Sequence, residues 1–374
     1  MRIGVAAILS TIGGPRSNAL TIIDELSRTD RKHSYHLFAD TFEGVELPHV
    51  DKVLVRMPVK AYQPVWDHFS LPAKVRLKGM DLLHHTKNAV PIFKPCKTVV
   101  TIYDLAHIVY PDTFNPLQRR YLDFAIRYAA RHADRIITDS QSTKRDLMRF
   151  LQVPAERISI VHLNCPKEIG VVRDPRELAR VRRLYRLPDR YIISVGTLQP
   201  RKNVHGLIKA YSLLKRSRPS LPQKLVFVGR KGWVYDDLQV QVDSLGLSQD
   251  VIFTGSVPTR DLSSLYSLAD LSVFPSFYEG FGIVALEAMA CHTPLVASNV
   301  SSIPEVAGDA AVLVDPHKVD EIADAMGLVL DDASLRRQMV RRGIGRVEMF
   351  TIEKSARQTL QVYEEVMGGS VRTS

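Results

Sequence analysis

Cysteine is almost missing from this chain, and the three that occur, Cys96, Cys165 and Cys291, are odd in number and far apart. That excludes a disulfide framework and the paired spacing of a zinc site, and a reducing cytoplasm fits such usage best. Long apolar runs are missing too, since no stretch approaches the roughly eighteen residues that a membrane span needs. The opening Met1-Arg2-Ile3-Gly4-Val5-Ala6-Ala7-Ile8-Leu9 has too short an apolar core for a signal peptide. With Gly13-Gly14-Pro15-Arg16 soon after it, this segment reads as a buried first strand entering a glycine turn. No Asp-x-Asp pair sits in a fitting place and no His/Cys cluster occurs, so no metal site is expected. Zinc-finger spacing and an aromatic RNA-binding signature are also absent, so no nucleic-acid partner is expected despite a formal charge of +10. The arginines are scattered through helical segments (Arg182-Arg183, Arg336-Arg337, Arg341-Arg342) and read as a solvated basic face.

What is present is ordinary globular material, 45% hydrophobic and 24% charged, over 374 residues. That length predicts two domains. Short β-branched runs alternate with longer amphipathic stretches. In the first half strands are expected over 2–9, 35–38, 53–56, 82–84, 98–103, 135–138 and 158–161; in the second over 191–195, 225–228, 251–253, 271–274 and 295–297. Alternation of this kind means an α/β chain whose parallel sheets are covered by helices, with ligands at the carboxyl ends of the strands. The least regular segment, 164–190, holds Pro166, Gly170, Pro175 and Pro188 and marks the domain boundary. Between Trp66 and Lys97, Trp66, Phe69, Leu71, Val75, Leu77 and Met80 are interleaved with Lys74, Arg76, Lys78 and Lys87, a pattern that suits either an anionic leaflet or a helix lying on a sheet. Pro64 and Pro72 are expected to interrupt any long helix there.

The run Pro275-Ser276-Phe277-Tyr278-Glu279-Gly280-Phe281-Gly282-Ile283-Val284-Ala285-Leu286-Glu287 carries the most chemistry. An apolar strand precedes it, and its proline, serine and glycines mark a loop that gives way to helix formers near Ile283. The first amides of that helix have no partners within it, and with the macrodipole they make an anion site. Two acceptor-only carboxylates flank the site: Glu279 on the loop and Glu287 one turn into the helix. Carboxylates beside a phosphate repel it unless they face hydroxyls, and a sugar nucleotide offers both. A second anion signal, Val195-Gly196-Thr197-Leu198-Gln199-Pro200-Arg201-Lys202, closes one strand and opens the next helix, with two adjacent cations able to pair with a diphosphate. Gly13-Gly14, after the first strand and before a helix expected near Ser17, is a third.

The two glutamates with seven residues between them resemble the retaining GT-B-fold glycosyltransferases, in particular glycosyltransferase family four. The resemblance covers nearly the whole chain and is densest from Tyr191 to Pro316. It implies a GT-B fold of two Rossmann-like domains facing across a cleft: an acceptor-side domain over 1–168, to which a C-terminal helix within 352–374 crosses back, and a nucleotide-sugar domain over 169–351. By the same resemblance, Arg201 and Lys202 stabilise the leaving diphosphate, Glu279 touches the transferred sugar, and Glu287 holds the ribose. Gly13, Gly14, Gly196, Thr197, Gly280, Phe281, Gly282 and Ile283 line the donor, and the Thr254-Gly255-Ser256-Val257 loop seats the nucleobase, with Val257 beside it. Gly229-Arg230-Lys231-Gly232-Trp233 and the run Ser301 to Asp309 are further matches.

Three positions depart from the family pattern. Thr101-Ile102-Tyr103-Asp104-Leu105 has Tyr103 where many relatives carry a donor-contacting histidine; Asp104 matches, and His107 is a candidate substitute. His292 stands at a helix end where glycine is usual, which predicts a strained cap, and Val284 replaces a frequent proline. The resemblance implies transfer of a hexose from a nucleoside diphosphate to an acceptor hydroxyl with retention, the charge being met by Arg201, Lys202 and helix-end amides, with no cofactor. GDP-mannose is the first expectation for the donor and a UDP-sugar the second. A glycan or a lipid-linked saccharide is the expected acceptor, with peripheral contact at the inner face of the membrane as one possibility. A GT-B-fold sugar-nucleotide epimerase and an inactive sugar-nucleotide-binding regulator are the rival readings.

Overall fold

The β-branched runs form strands that pair only in parallel, so the chain must return over a sheet face between them, and the inner strands are buried on both faces. The computed structural model describes residues 1–10, 14–56, 63–230 and 235–368. They divide into two units, Met1–Leu163 with Thr351–Ser374, and Asn164–Phe350.

In the first unit the strands are β1 (Arg2–Ala7), β2 (Ser34–Ala39), β3 (Asp51–Leu54), β4 (Leu82–His85), β5 (Lys97–Thr101), β6 (Arg135–Thr138) and β7 (Ile158–Ile160). They form one sheet in the order β3-β2-β1-β4-β5-β6-β7. Helix does not follow every strand: β2 to β3 and β4 to β5 are joined by turns and irregular chain. The helix anticipated near Ser17 spans Gly14–Thr29, because proline is tolerated in a helix's first turn. Against it packs the Ile352–Val366 helix, capped by the Thr351 hydroxyl. Ser355 of that helix donates to the His162 carbonyl at 2.7 Å, and Ile352, Ala356, Val362 and Tyr363 share the core with β1 and β2.

Pro64 and Pro72 do not break the helical chain as the sequence suggests. Gln63–Val65 runs through a π-turn, Trp66–Ser70, into Leu71–Leu77. The Leu71 amide there reaches back to the Trp66 carbonyl, and the wider turn accommodates a proline that has no N–H to give. Trp66, Leu71, Val75 and Met80 join a core cluster, whereas Phe69 and Leu77 stay exposed. Packing on the sheet therefore accounts for four of the six apolar residues in that stretch.

The second unit holds β8 (Tyr191–Val195), β9 (Lys224–Val228), β10 (Val251–Gly255), β11 (Leu271–Phe274), β12 (Leu295–Ser298) and β13 (Ala311–Val314), ordered β10-β9-β8-β11-β12-β13. β13 is not anticipated from the sequence. Its Ala-Val-Leu-Val run is as short as a helix fragment, and only pairing with β12 decides its state. The chain passes between units at Leu163/Asn164, five residues before the expected boundary at 168. Residues just beyond belong with the second unit because their amides bond there: Cys165 to the Phe350 carbonyl at 3.3 Å, Gly170 to Ser263 at 3.3 Å and Val172 to Ser267 at 3.0 Å.

Candidate active site

In the second sheet the chain order reverses between β8 and β11, and at such a switch point the loops leaving the two strands part and open a crevice. After β8 come Gly196, the short turn Pro200–Lys202, and then the Val204–Ser217 helix. β11 is followed by the glutamate loop, which ends at Gly282. That residue caps the Ile283–Ala290 helix at φ 92°, the left-handed region that favours glycine, and a Cβ there would press on the Ile303 side chain at 3.3 Å. The Phe277 amide donates to the Arg201 carbonyl at 2.9 Å and joins the two loops.

This juxtaposition brings the two cations onto one carboxylate. Arg201 Nη1 lies 2.9 Å from Glu279 Oε2 and 2.7 Å from the Tyr278 carbonyl, while Lys202 Nζ lies 2.5 Å from Glu279 Oε1. Lys202 Nζ also sits 5.2 Å over the Phe274 ring. Glu279 is only 7% exposed, and its carbonyl accepts from the hydroxyls of Ser301 and Ser302. Burial pushes its carboxyl pKa up, but Lys202 and Arg201 outweigh that and hold it below the ordinary range. The cluster has a net charge of +1 and is rich in donors, since guanidinium carries five N–H groups and ammonium three.

Glu287 is placed differently. It is partly buried in the helix, has the Tyr266 hydroxyl at 3.2 Å from Oε2, and makes no salt bridge among the described residues. Burial raises its pKa to about 7, with the Tyr266 hydrogen bond and the Lys202 charge offsetting only part of that. A carboxylate so poised gains from any ligand that donates hydroxyls to it.

Beside these groups the ends of β8, β9 and β10 lie close together. The Gly229 amide donates to the Gly255 carbonyl and Gly196 to Val228, both at 2.9 Å. A Cβ on Gly229 would stand 2.0 Å from the Gly196 oxygen, so only glycine permits this approach. Thr197 and Val257 are half-buried on the loops leaving β8 and β10. Phe281 is buried edge-on against Phe350, and Gly280 and Ile283 flank the Gly282 cap. Within this unit, then, the structure brings the turn that carries Arg201 and Lys202 beside the Glu279 loop, with Glu287 on the helix that follows that loop. Neither the Ser301 and Ser302 hydroxyls nor Tyr266 could be assigned a role from sequence, because nothing in a linear pattern says which carboxylate or carbonyl they reach.

Gly13 falls outside the described residues, as do Lys231, Gly232 and Trp233, and Gly14 is the first residue of its helix. Asp104 accepts from the Ala106 amide at 3.0 Å, and Tyr103 accepts from Asn18 Nδ2 at 3.2 Å. His107 is 3% exposed, and burial lowers its pKa. His292 does take the left-handed conformation, at φ 59°. Its amide bonds to the Met289 carbonyl and that of Thr293 to Ala288. A side chain costs about 1–2 kcal/mol there, partly recovered in the unfolded state. His292→Gly should therefore raise stability by about 0.5–1 kcal/mol, read as a higher urea midpoint at unchanged slope; an unchanged or lower midpoint would show the cap to be unstrained.

Among the described residues, no three His, Cys, Asp or Glu side chains are grouped to hold a metal ion, and no helix is long and apolar enough to cross a membrane. The family profile "Glycosyl transferases group 1" matches residues 176–346, and "Glycosyltransferase Family 4" matches residues 12–163. The O-antigen chain mannosyltransferase B of Escherichia coli is 35% identical over 288 residues, 76% of this chain and 74% of that protein. The chain belongs to glycosyltransferase family 4. Escherichia coli serotype-specific mannosyltransferase WbdA is 30% identical over 284 residues; the match takes in 75% of this family 4 chain but only 35% of WbdA. Sucrose-phosphate synthase from Thermosynechococcus elongatus superposes with a TM-score of 0.79 at 20% identity, covering 99% of this chain and 100% of its own, and has the same two-Rossmann GT-B fold. The protein is thus a GT-B glycosyltransferase.

Proposed function

We propose that this glycosyltransferase moves a hexose, mannose in the first instance, from a nucleoside diphosphate to a hydroxyl of a glycan or lipid-linked saccharide, with retention at the anomeric carbon. The observation that carries this reading is the Arg201–Glu279–Lys202 cluster at the β8/β11 switch point, two cations where a leaving diphosphate would gather charge. Mannose and GDP are favoured because the relatives above bear the name mannosyltransferase. In the step itself the bond from the anomeric carbon to the diphosphate oxygen breaks and the bond to the acceptor oxygen forms on the same face. The acceptor's proton passes to the departing oxygen, and nothing is oxidised or reduced. Arg201 and Lys202 hold the leaving group, Glu279 orients them and meets sugar hydroxyls, and Glu287 takes the ribose.

Incubating the protein with radiolabelled GDP-mannose and with UDP-glucose, each with and without a mannose-bearing acceptor, tests this. Acceptor-dependent product from GDP-mannose with an α-linkage is the expected result. Conversion of the donor without an acceptor would point to an epimerase, and binding without turnover to a regulator. Activity should also survive excess EDTA, because the positive charge on the diphosphate is supplied by side chains. Loss on chelation, restored by a divalent ion, would overturn that assignment.

A further inference from the structure

The Pro116–His132 helix turns Ala125, Ile126, Ala129 and Ala130 to the core and carries two rows of side chains on its outer face. One row is Phe124, Tyr128 and His132, spaced four apart; their rings stack, Phe124 on Tyr128 at 6.0 Å and Tyr128 on His132 at 4.1 Å. The Tyr128 hydroxyl donates to the Ile92 carbonyl at 3.0 Å, which fixes the row in place. Arginines fill the rest: Arg119, Arg120, Arg127 and Arg131. Arg127 gives its Nε to Asp123 at 2.9 Å, but Arg119, Arg120 and Arg131 are exposed and make no ion pair among the described residues. Asp112 and Asp123 are the carboxylates of this surface, which leaves the arginines in excess.

The helix is one wall of a groove of about 1110 Å³, with the segment from His107 to Phe114 as the other. His107 lines it and is almost wholly buried; its Nε2 is shielded from solvent and has no hydrogen-bond partner among the described residues, and Asp123 Oδ1 stands 3.9 Å away, beyond bonding range. A buried imidazole nitrogen left unpaired is costly unless something else satisfies it. The groove thus offers an anion site and an apolar ring edge.

We propose that this groove binds a phosphorylated saccharide, its phosphate on the unpaired arginines and a sugar ring against the Phe124–Tyr128–His132 row. Planar guanidinium forks match phosphate oxygens two at a time, and a pyranose has an apolar C–H face that packs against aromatic carbon. That the occupant is the acceptor of the transfer rests on the function proposed above; the binding chemistry of the groove does not.

The test is calorimetric titration of the full chain with mannose 6-phosphate in saturating GDP, beside methyl α-mannoside, inorganic phosphate and phosphatidylglycerol vesicles as separate arms. Mannose 6-phosphate should bind saturably and about tenfold or more tighter than either fragment. Arg120→Ala with Arg131→Ala, and separately Tyr128→Leu, should each weaken it by about tenfold while GDP affinity stays unchanged. The proposal is overturned if inorganic phosphate alone binds as tightly, if the variants bind like wild type, or if the arginines govern vesicle binding and not the sugar phosphate. GDP affinity, measured on the same samples, reports on the transferase site independently, so failure of one reading does not pass for failure of the other.

Discussion

Lys202→Ala is expected to slow transfer about a hundredfold or more, and Arg201→Ala by a similar factor, since removing one donor from a developing anion costs about 3 kcal/mol. Each variant also disturbs a buried pair. Glu279 has one cation on each oxygen, so losing either leaves a carboxylate that is buried and half-compensated, at about 1–3 kcal/mol of stability. Stability and catalysis are separable through Lys202→Ala combined with Glu279→Gln. Neutralising the glutamate removes the stranded charge and should restore much of the denaturation midpoint, yet turnover should stay low because the diphosphate still lacks its lysine and the sugar its charged acceptor. The pH profile carries the same information. Glu279's depressed pKa adds stability above the ordinary carboxylate range, and this is lost as pH falls through the folded value. In the double variant that acid-side loss should shrink. Near-normal rates in both single alanine variants would sink the phosphate assignment.

The strands of both sheets were largely legible because a strand buried on both faces reads as a β-branched run whatever its neighbours, as in Tyr191–Val195 and Leu271–Phe274, whose bounds agree to the residue. β13 was not, since four small apolar residues become a strand only through β12. Legibility at the site followed the same division. The glycine-bearing loop and the Arg-Lys pair announce an anion site through residue type and spacing, and Gly282 does take the left-handed cap that its position demands. That Glu279 clamps both cations could not be read, because the pairing arises from the sheet order that sets the loop after β8 beside the loop after β11. The Trp66–Met80 stretch is ambiguous for a related reason: its apolar spacing is shared by a helix on a membrane and a helix on a sheet, and only the tertiary partner decides.

The two glutamates should separate cleanly, and the structure sharpens the contrast. Glu287→Gln should weaken GDP binding about tenfold or more, because a charged acceptor bonded to ribose hydroxyls is worth roughly 1.5–3 kcal/mol. Its pKa near 7 adds a signature in pH. In the free protein the neutral carboxyl is favoured, so stability falls as pH rises from about 4.5 to about 7 and levels off beyond. Hydroxyl donors favour the anion instead, so GDP should bind more tightly as pH rises through 7. Both slopes should flatten in Glu287→Gln, while the titration of GDP itself is common to variant and wild type and cancels. Glu279→Gln should behave otherwise, for it removes a negative charge held against Arg201 and Lys202 and so leaves bare GDP affinity undiminished. What it should damage is turnover of the whole sugar nucleotide, since the cations lose the group that orients them and the sugar loses a charged acceptor. Calorimetric titration of GDP against both variants between pH 6 and 8, followed by transfer assays, decides the matter. Equal loss of nucleotide affinity in the two, or a pH slope that persists in Glu287→Gln, would mean that the ribose and sugar roles have been assigned to the wrong residues.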